Sequence, residues 1–522
     1  MKTSEVPVLI VGGGAAGTML TLELARRGIA FRTVDRLPRA GAESRAITVH
    51  ARTLEILERI DKKLAARYLD WGIHNKGYVL HFVDANGKRS EVRPGLDFTT
   101  LDCRYPFLLV HGQADTENHI RNYTREEFDV GTEWGTQCVG VTQDAEGVTA
   151  TLAHLDRGGE QETVRCRYLV ACDGINSRVR GWLGLEQTES NYKGTVLQNL
   201  DAFLNGFPDD PEFIHYCAGT DHFVMVAALP GGFYRMLMSD RGESAAPNVT
   251  PEQGFMRIID KHFDGVTLGK TVWYSKWQSF VRLAHDYREG NVFLAGDSAH
   301  VHSTTGGQGM NCCMQDAYNL GWKLALVIDG VAKPSLLETY VTERRPIAEQ
   351  VIWAASSLHE IFMGHGKDIA ERAKKMSDPQ FLEQVIGRCS GISYTYRDYV
   401  PKAEGLAEEP GPAIGDRAPD VDLGNGRALF DLTRHTKFTL LGFPAASAPS
   451  AELEGAMRSL GARFGRVLES HVLPPSKALA HRYGESARDR LYLLRPDGYI
   501  GFRCLASEAS RLEAHLAGML TL

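Results

Sequence analysis

A chain of 522 residues exceeds a single ordinary core, so two or three domains are expected, and 43% hydrophobic with 24% charged residues is the balance of a globular protein. A net charge of −7 excludes a basic footprint for nucleic acid and a polybasic membrane anchor, and no apolar run is long enough to span a bilayer. The nine cysteines stand singly except for Cys312-Cys313, with no CxxC, so they read as apolar fillers in a reducing compartment. The N-terminus suits a strand and turn better than a signal peptide, so a cytoplasmic location is expected.

Residues 6–11 form a short apolar run closed by glycines, the mark of a buried parallel strand. Residues 15–27 are apolar at helical spacing, with Arg26-Arg27 and Gly28 as closing charge and cap, and 29–34 is a second strand ending at Asp35. A helix is expected at 51–64, a hairpin at 79–83 and 91–93 around Asn86-Gly87, and a helix with Gln113 and Glu117 at 111–123. From 134 to 170 the pattern alternates as in antiparallel strands, turning at Glu146-Gly147 and Gly158-Gly159. Aromatic-rich strands at 213–217, 222–229 and 233–239, with a helix at 251–263, suggest a mixed sheet. Helices follow at 311–326 and 334–359. The breaker-rich stretch 404–420 reads as a linker, and a fresh strand–helix rhythm at 438–442, 451–460, 466–473, 491–494 and 499–502 suits a small α/β domain. The expected division is 1–72, 105–184 and 284–400 as one discontinuous domain, 73–104 and 185–283 as an inserted sheet domain, 401–420 as linker and 421–522 as the last domain.

Three distant patches carry chemistry. Gly12-x-Gly14-x-x-Gly17 lies between a strand and a helix, where glycines let the backbone approach a pyrophosphate and the helix N-terminus offers unpaired N–H groups. Asp35 ends the next strand, placed to accept from ribose hydroxyls. Phe293-Leu294-Ala295-Gly296-Asp297 is again a strand ending in a turn, where Asp297 can bond a ribityl hydroxyl. Gly306-Gly307-Gln308-Gly309 then leads into a helix at Asn311, whose N-terminus can face the pyrimidine edge of an isoalloxazine. NAD would leave that loop without a task, so FAD is favoured. His300 and His302 show no carboxylate or cysteine partner at ligand spacing and read as structural, with no metal expected.

With the third motif, Leu169-Val170-Ala171-Cys172-Asp173-Gly174, these residues make the chain resemble the class A flavoprotein aromatic hydroxylases of the para-hydroxybenzoate hydroxylase-like fold. It is most similar to the polyketide and phenylpropionate hydroxylase branch with a thioredoxin-like C-terminal domain. Ser44-Arg45-Ala46, Ala51-Arg52-Thr53-Leu54-Glu55, the Gln113/Glu117 helix, Asp173-Gly174 with Ser177 and Arg180, Gly415-Asp416-Arg417-Ala418-Pro419-Asp420 and Arg495-Pro496-Asp497-Gly498-Tyr499 carry the resemblance over essentially the whole chain. It implies an α/β protein: a Rossmann-type FAD-binding domain, an inserted mixed-sheet substrate domain and a thioredoxin-like C-terminal domain. It implies FAD contacts from Gly12, Gly14, Ala15, Ala16, Gly17, Asp35, Arg36, Arg45, Gln113, Gly296 and Asp297, with the backbone near Cys138 on the adenine side. Gly307, Gly309, Met310 and Asn311 would meet the ring, and Asp173 and Gly174 would serve both FAD and the nicotinamide.

Two departures stand out. Ser303-Thr304-Thr305 fill a loop that usually carries proline, which gives the loop more freedom, and Cys313 replaces a frequent glycine. Without CxxC, the last domain is expected to serve packing or contact within a homodimer rather than redox chemistry.

The resemblance implies bound FAD, transient NADH or NADPH, and O2 as co-substrate. A flavin C4a-hydroperoxide would deliver oxygen to a small phenolic or polycyclic aromatic substrate, with the protein excluding water. The pocket is expected on the flavin-facing side of the middle sheet, from His215, Tyr216, Met225, Tyr234, Met236, Trp273 and Trp277. No motif identifies a catalytic base. Baeyer–Villiger or epoxidising chemistry on a polycyclic ketone or quinone is an alternative the fold permits. A non-catalytic binding protein of the same fold is another, though it would have no need of Asp297 and the 306–309 run.

Overall fold

A computed structural model describes residues 2–240, 248–363, 368–400 and 409–522, so residues 401–408 of the expected linker lie outside the described residues. The elements that place the site are β1 (Lys2–Val11), α1 (Ala15–Ala25), β2 (Phe31–Val34), α2 (Ala51–Ile60), β3 (Gly77–Val83), β4 (Arg89–Asp97), α3 (Gln113–Phe128), β5 (Thr136–Asp144), β6 (Gly147–His154), β7 (Glu160–Ala171), β8 (Gln187–Asn205), β9 (Phe213–Ala218), β10 (His222–Leu229), β11 (Phe233–Asp240), α4 (Pro251–His262), β12 (Thr267–Ala284) and β13 (Val292–Leu294). They continue with α5 (Gly309–Ile328), α6 (Glu338–Met363), α7 (Ile369–Lys375), α8 (Pro379–Ser390), β14 (Phe438–Phe443), α9 (Ala451–Phe464), β15 (Leu468–Val472), β16 (Arg490–Leu494), β17 (Ile500–Leu505) and α10 (Ala509–Met519).

The first sheet has a parallel core in the order β13-β7-β1-β2, closed beyond β2 by the short strand Thr132–Glu133. Its strands read as unbroken apolar runs because they are buried on both faces. The antiparallel pattern foreseen for 134–170 holds only in part: β5, β6 and the first half of β7 form a meander, but β7 also runs parallel to β1 along residues 162–171. The single helix foreseen at 51–64 is two. Asp61 takes an extended conformation after α2, and its side chain accepts from Lys63 N–H, capping a new helix at Lys62–Trp71.

The second sheet runs β12-β8-β11-β10-β9-β3-β4, antiparallel except for β9 beside β3. Strand alternation gives it two apolar faces. One carries Leu200, Cys217, Val224, Val226, Met236 and Met238 under Phe255, Ile258 and Ile259 of α4. The other carries Leu197, Ile214, Tyr216, Met225 and Leu237 against Leu358, Ile361 and Phe362 of α6 and Val385 and Ile386 of α8. The last domain is a four-stranded sheet in the order β15-β14-β16-β17, parallel only between β14 and β15.

Helix α5 is buried along nearly its whole length, and α1 lies directly against it. The approach is close enough that a Cβ on Gly321 would stand 2.7 Å from Cβ of Glu23. Glu23 is itself buried and paired with Arg26 and Arg27, so it has little room to yield. Gly321→Val should therefore overpack this contact and destabilise the protein by about 1–3 kcal/mol, read as a lower midpoint in urea unfolding. An unchanged midpoint would show that the helices move apart freely.

Candidate active site

The register of the first sheet puts Val11, Val34, Ala171 and Leu294 side by side, so the segments that follow them emerge together. This is the carboxyl edge of an open parallel sheet, where α/β folds bind ligands. Gly12 (φ +109) turns the chain tightly against Cys172, whose carbonyl would be 2.2 Å from a Cβ there. Gly17 packs α1 on the turn, with Gly12 O 1.8 Å from its would-be Cβ. Asp35 accepts from Gly13 N–H at 2.7 Å and from Leu37 N–H at 2.8 Å. Asp173 accepts from the amides of Arg178 and Val179, and Arg180 donates to Ser298 O at 2.7 Å, tying the Asp173-Gly174 turn to the Gly296-Asp297 turn. Ala15 and Ala16 begin α1, and Gly296 lies against Ala16 and Cys313. Cys313 Sγ sits 3.3 Å from Asp297 Oδ1, and burial pushes its thiol well up, which leaves it inert as a nucleophile.

A second group forms around the 303–311 loop. Asn311 Nδ2 donates to Thr48 O and Gly307 O, both at 2.9 Å, and its Oδ1 accepts from His50 N–H at 2.9 Å. Gly307 (φ +65) passes so close to Thr48 that a Cβ would be 2.0 Å from the hydroxyl oxygen. His50 contacts Gly306 O through Nε2 at 2.9 Å, and burial lowers its pKa to about 4, so the ring is neutral. His302 bonds Ser303 O through Nδ1 at 2.8 Å and is likewise held at about 4 by burial. Ser303, in the 303–305 stretch, is buried; its hydroxyl bonds Thr305 Oγ1 at 2.9 Å and His359 Nδ1 at 3.0 Å. Side-chain hydrogen bonds thus tie this loop to α6. Met310 lies in the first turn of α5, which has no acidic residue and no capping side chain, so its N-terminal amides remain free to meet negative charge.

Helix α3 borders the first group. Gln113 donates to Glu117 at 2.9 Å, Glu117 pairs with Arg121 at 3.0 Å, and Arg121 reaches Gly13 O at 3.3 Å. Arg121 went unforeseen, although it shares a face with Gln113 and Glu117 at i+4 spacing. Arg36, Arg45 and Asp297 are exposed along the same edge, and Gly309 opens α5 beside the His302 ring. Cys138 is buried in β5, its thiol raised to about 12 by burial and its Sγ 3.7 Å from Gly140 O.

FAD fits these residues on two observations. A Cβ on Gly14 or Gly174 would meet no atom of the described residues within 4 Å, so both glycines border open space rather than protein. Among the described residues, Asp173 Oδ1, Arg121 Nε, His50 Nδ1 and His302 Nε2 are buried polar atoms without a hydrogen-bond partner, and they flank both groups.

Two expectations need correction. His300 does have a carboxylate and a cysteine beside it, brought in by α5: Asp316 Oδ2 at 2.7 Å and Cys312 Sγ at 3.7 Å. Arg344 bonds the same carboxylate at 2.7 Å and lies 3.6 Å from the same sulfur, so a cation there would face a guanidinium. Although burial opposes both charges, the pairing raises His300 well above the usual histidine range and holds Asp316 below the usual carboxylate range. The second correction concerns the middle sheet, where Tyr216, Met225 and Trp277 lie on the α6 side. Trp273 stacks on Arg235, which donates to Ser44 O and Arg45 O and pairs with Asp201. His215, Tyr234 and Met236 point to the opposite side, under Phe207, Phe263 and α4, so the seven expected residues do not share one face.

Residues 5–355 match the family described as FAD binding domain, and 411–521 match aromatic-ring hydroxylase, C-terminal. Pentachlorophenol 4-monooxygenase of Sphingobium chlorophenolicum is 39% identical over 99% of this chain and 97% of its own length. 6-Methylpretetramide 4-monooxygenase of Streptomyces rimosus is 30% identical over 98% of this chain and 93% of its own. Among solved structures, anhydrotetracycline hydroxylase from Streptomyces rimosus superposes with a TM-score of 0.78 at 27% identity, covering 99% of both chains. The chain is therefore a member of the FAD-binding aromatic-ring hydroxylases, an FAD-dependent monooxygenase that uses O2 and a reduced nicotinamide.

Proposed function

We propose that this monooxygenase hydroxylates a phenol, and that the ring lies against the α6-side face of the second sheet near the Gly306–Gly307 turn. The observation that carries the reading is the aromatic wall that ends on this turn. Tyr78 packs on Tyr216 at 4.5 Å and on Phe98 at 5.6 Å, Phe98 on His50 at 5.9 Å, and the Tyr216 hydroxyl meets the Gly306 backbone. Such a wall suits a flat ring and sheds water. The relative at 39% identity is named for a single-ring phenol, whereas 6-methylpretetramide 4-monooxygenase, named for a different substrate, stands at 30%.

Bound FAD, once reduced by the nicotinamide, supplies the activated oxygen that the ring accepts. The protein's part is placement and exclusion. The glycine turn and the start of α1 hold the pyrophosphate, and Asp35 the adenylate ribose. The free amides at Gly309, Met310 and Asn311 stabilise negative charge on the isoalloxazine. Leu197, Met225, Leu237 and the tyrosine pair keep water from the reacting atoms. Neutral His50 and His302 offer unprotonated nitrogens beside the loop rather than fixed positive charge.

Substitutions at two fingerprint glycines separate binding from folding. Gly14→Val should leave the apo-protein within about 1 kcal/mol of wild-type stability, because the added atoms meet open space. FAD affinity should fall by roughly 100-fold or more, as flavin fluorescence titration would report. Gly17→Val should unfold the protein at lower denaturant, since its Cβ would overlap the Gly12 carbonyl. If Gly14→Val bound FAD as wild type does, the pyrophosphate would lie elsewhere.

A panel of substituted phenols should include members that accelerate NADH or NADPH oxidation and emerge one oxygen heavier, with hydrogen peroxide falling as product rises. If every phenol left the oxidation rate unchanged, or all consumption ended as peroxide, the phenol assignment would be lost. An oxygen inserted into a ring carbon–carbon bond of a ketone substrate would instead support the Baeyer–Villiger alternative.

A further inference from the structure

The C-terminal domain supplies no residue to the flavin site, yet one of its turns is driven into the FAD-binding domain. Arg495-Pro496-Asp497-Gly498-Tyr499 joins β16 to β17, and Asp497 is only 2% exposed. Asp497 Oδ2 accepts from Asn319 Nδ2 and Trp322 Nε1 of α5, both at 3.2 Å. The Pro496 carbonyl accepts from the Tyr318 hydroxyl at 3.2 Å, and the Asp497 carbonyl from Arg52 Nη2 of α2 at 2.7 Å. Arg495 pairs with both oxygens of Glu343 on α6, at 2.6 and 2.8 Å, and Glu343 also takes Lys323 of α5 at 2.8 Å. One five-residue turn thus grips three helices.

Two of those helices begin at the flavin-facing loop. Asn311, in the first turn of α5, holds Gly307 and the Thr48–His50 segment that runs into α2. Asn319 lies eight residues further along α5, about 12 Å at the rise of an α-helix. A polar seam joins the same places: Asn319 Nδ2 to the Tyr396 hydroxyl at 3.4 Å, that hydroxyl to Arg344 at 3.2 Å, Arg344 to Asp316 at 2.7 Å, and Asp316 to Gly296 N–H at 3.2 Å, just before Asp297.

We propose that the 495–499 turn is a positioning element for the flavin site, with Asp497 and Arg495 as positioning residues that set α2 and α5 and, through them, the 306–311 loop. A buried carboxylate cannot shed its donors without a large penalty, so Asn319 and Trp322 are held to one setting, while the turn's backbone carbonyls hold Arg52 and Tyr318. A packed helix moves as a body, so a setting fixed near its middle reaches its first turn. The C-terminal domain thereby acts within its own chain, whatever its outer surface contacts.

The test compares wild type, Asp497→Asn and Arg463→Ala, the last at an exposed pair with Glu513 on the same domain. In the apo-proteins, hydrogen–deuterium exchange should rise at residues 306–313 in Asp497→Asn but not in Arg463→Ala, while β16 and β17 stay as protected as in wild type. The FAD dissociation constant of Asp497→Asn should rise by roughly 3- to 30-fold. At saturating FAD, its flavin absorption bands should shift and more of the consumed nicotinamide should appear as hydrogen peroxide. Trp322→Phe, which removes one donor and keeps the ring, carries the same expectation should Asp497→Asn fail to fold. Unchanged exchange at 306–313 with unchanged FAD affinity overturns the proposal, as does a uniform rise across the C-terminal domain with normal bands at saturation. The proposal rests on the flavin reading; wild type that takes up no FAD would defeat that reading, whereas flavin-loaded wild type beside an unaffected Asp497→Asn would defeat only this one.

Discussion

The alignment of four parallel strand ends is the constraint on which the rest depends. Val11, Val34, Ala171 and Leu294 occupy one level because β7-β1-β2 and β13 pair in a single register. A slip of one residue would turn the apolar side chains of a strand to the wrong face and lift its loop out of line with the others. The apolar load on β1 and β7, buried on both sides, makes that slip prohibitive. Fingerprint glycines, Asp35, Asp173 and Asp297 come from distant parts of the chain, and only this register gathers them.

The helices behind that edge show how the protein handles buried charge. Asp316 is shared between His300 and Arg344, Glu343 between Lys323 and Arg495, and Glu23 between Arg26 and Arg27. Pairs of this kind contribute little net stability once desolvation is counted, but losing one partner costs several kcal/mol. Their effect is to specify one arrangement of the helices behind the flavin. Ser303 does for the loop what the helix pairs do for the scaffold, through hydrogen bonds to Thr305 and His359.

The second sheet solves a different problem. With an apolar face on each side, it packs α4 on one and α6 and α8 on the other. Arg235 fastens that face to the Ser44–Arg45 backbone, so the sheet and the flavin edge are held at a fixed spacing. The α6-side face therefore inherits its geometry from the same scaffold as the loops at the first sheet's edge.

By itself the sequence determined what depends on neighbours in the chain: the strand–glycine–helix turn at 11–17, Asp35 at a strand end, the helix after the 306–309 glycines, foreseen from Asn311, and the hairpin around Asn86-Gly87. Backbone conformation and helix dipoles act over a few residues, so their signatures survive in the linear string. Only the tertiary structure decided which face of β9 and β11 packs on α4 and which on α6, because alternation separates two faces without naming either when both are apolar. It alone brought Asp316 and Cys312 to His300 and Arg121 to Gly13. It also turned a stretch read as linker and extension into a brace, with Arg417 on Glu55 and Asp497 between α2 and α5. Those contacts join residues hundreds of positions apart, and their energy comes from burial and from matching donors to acceptors, which no local pattern records.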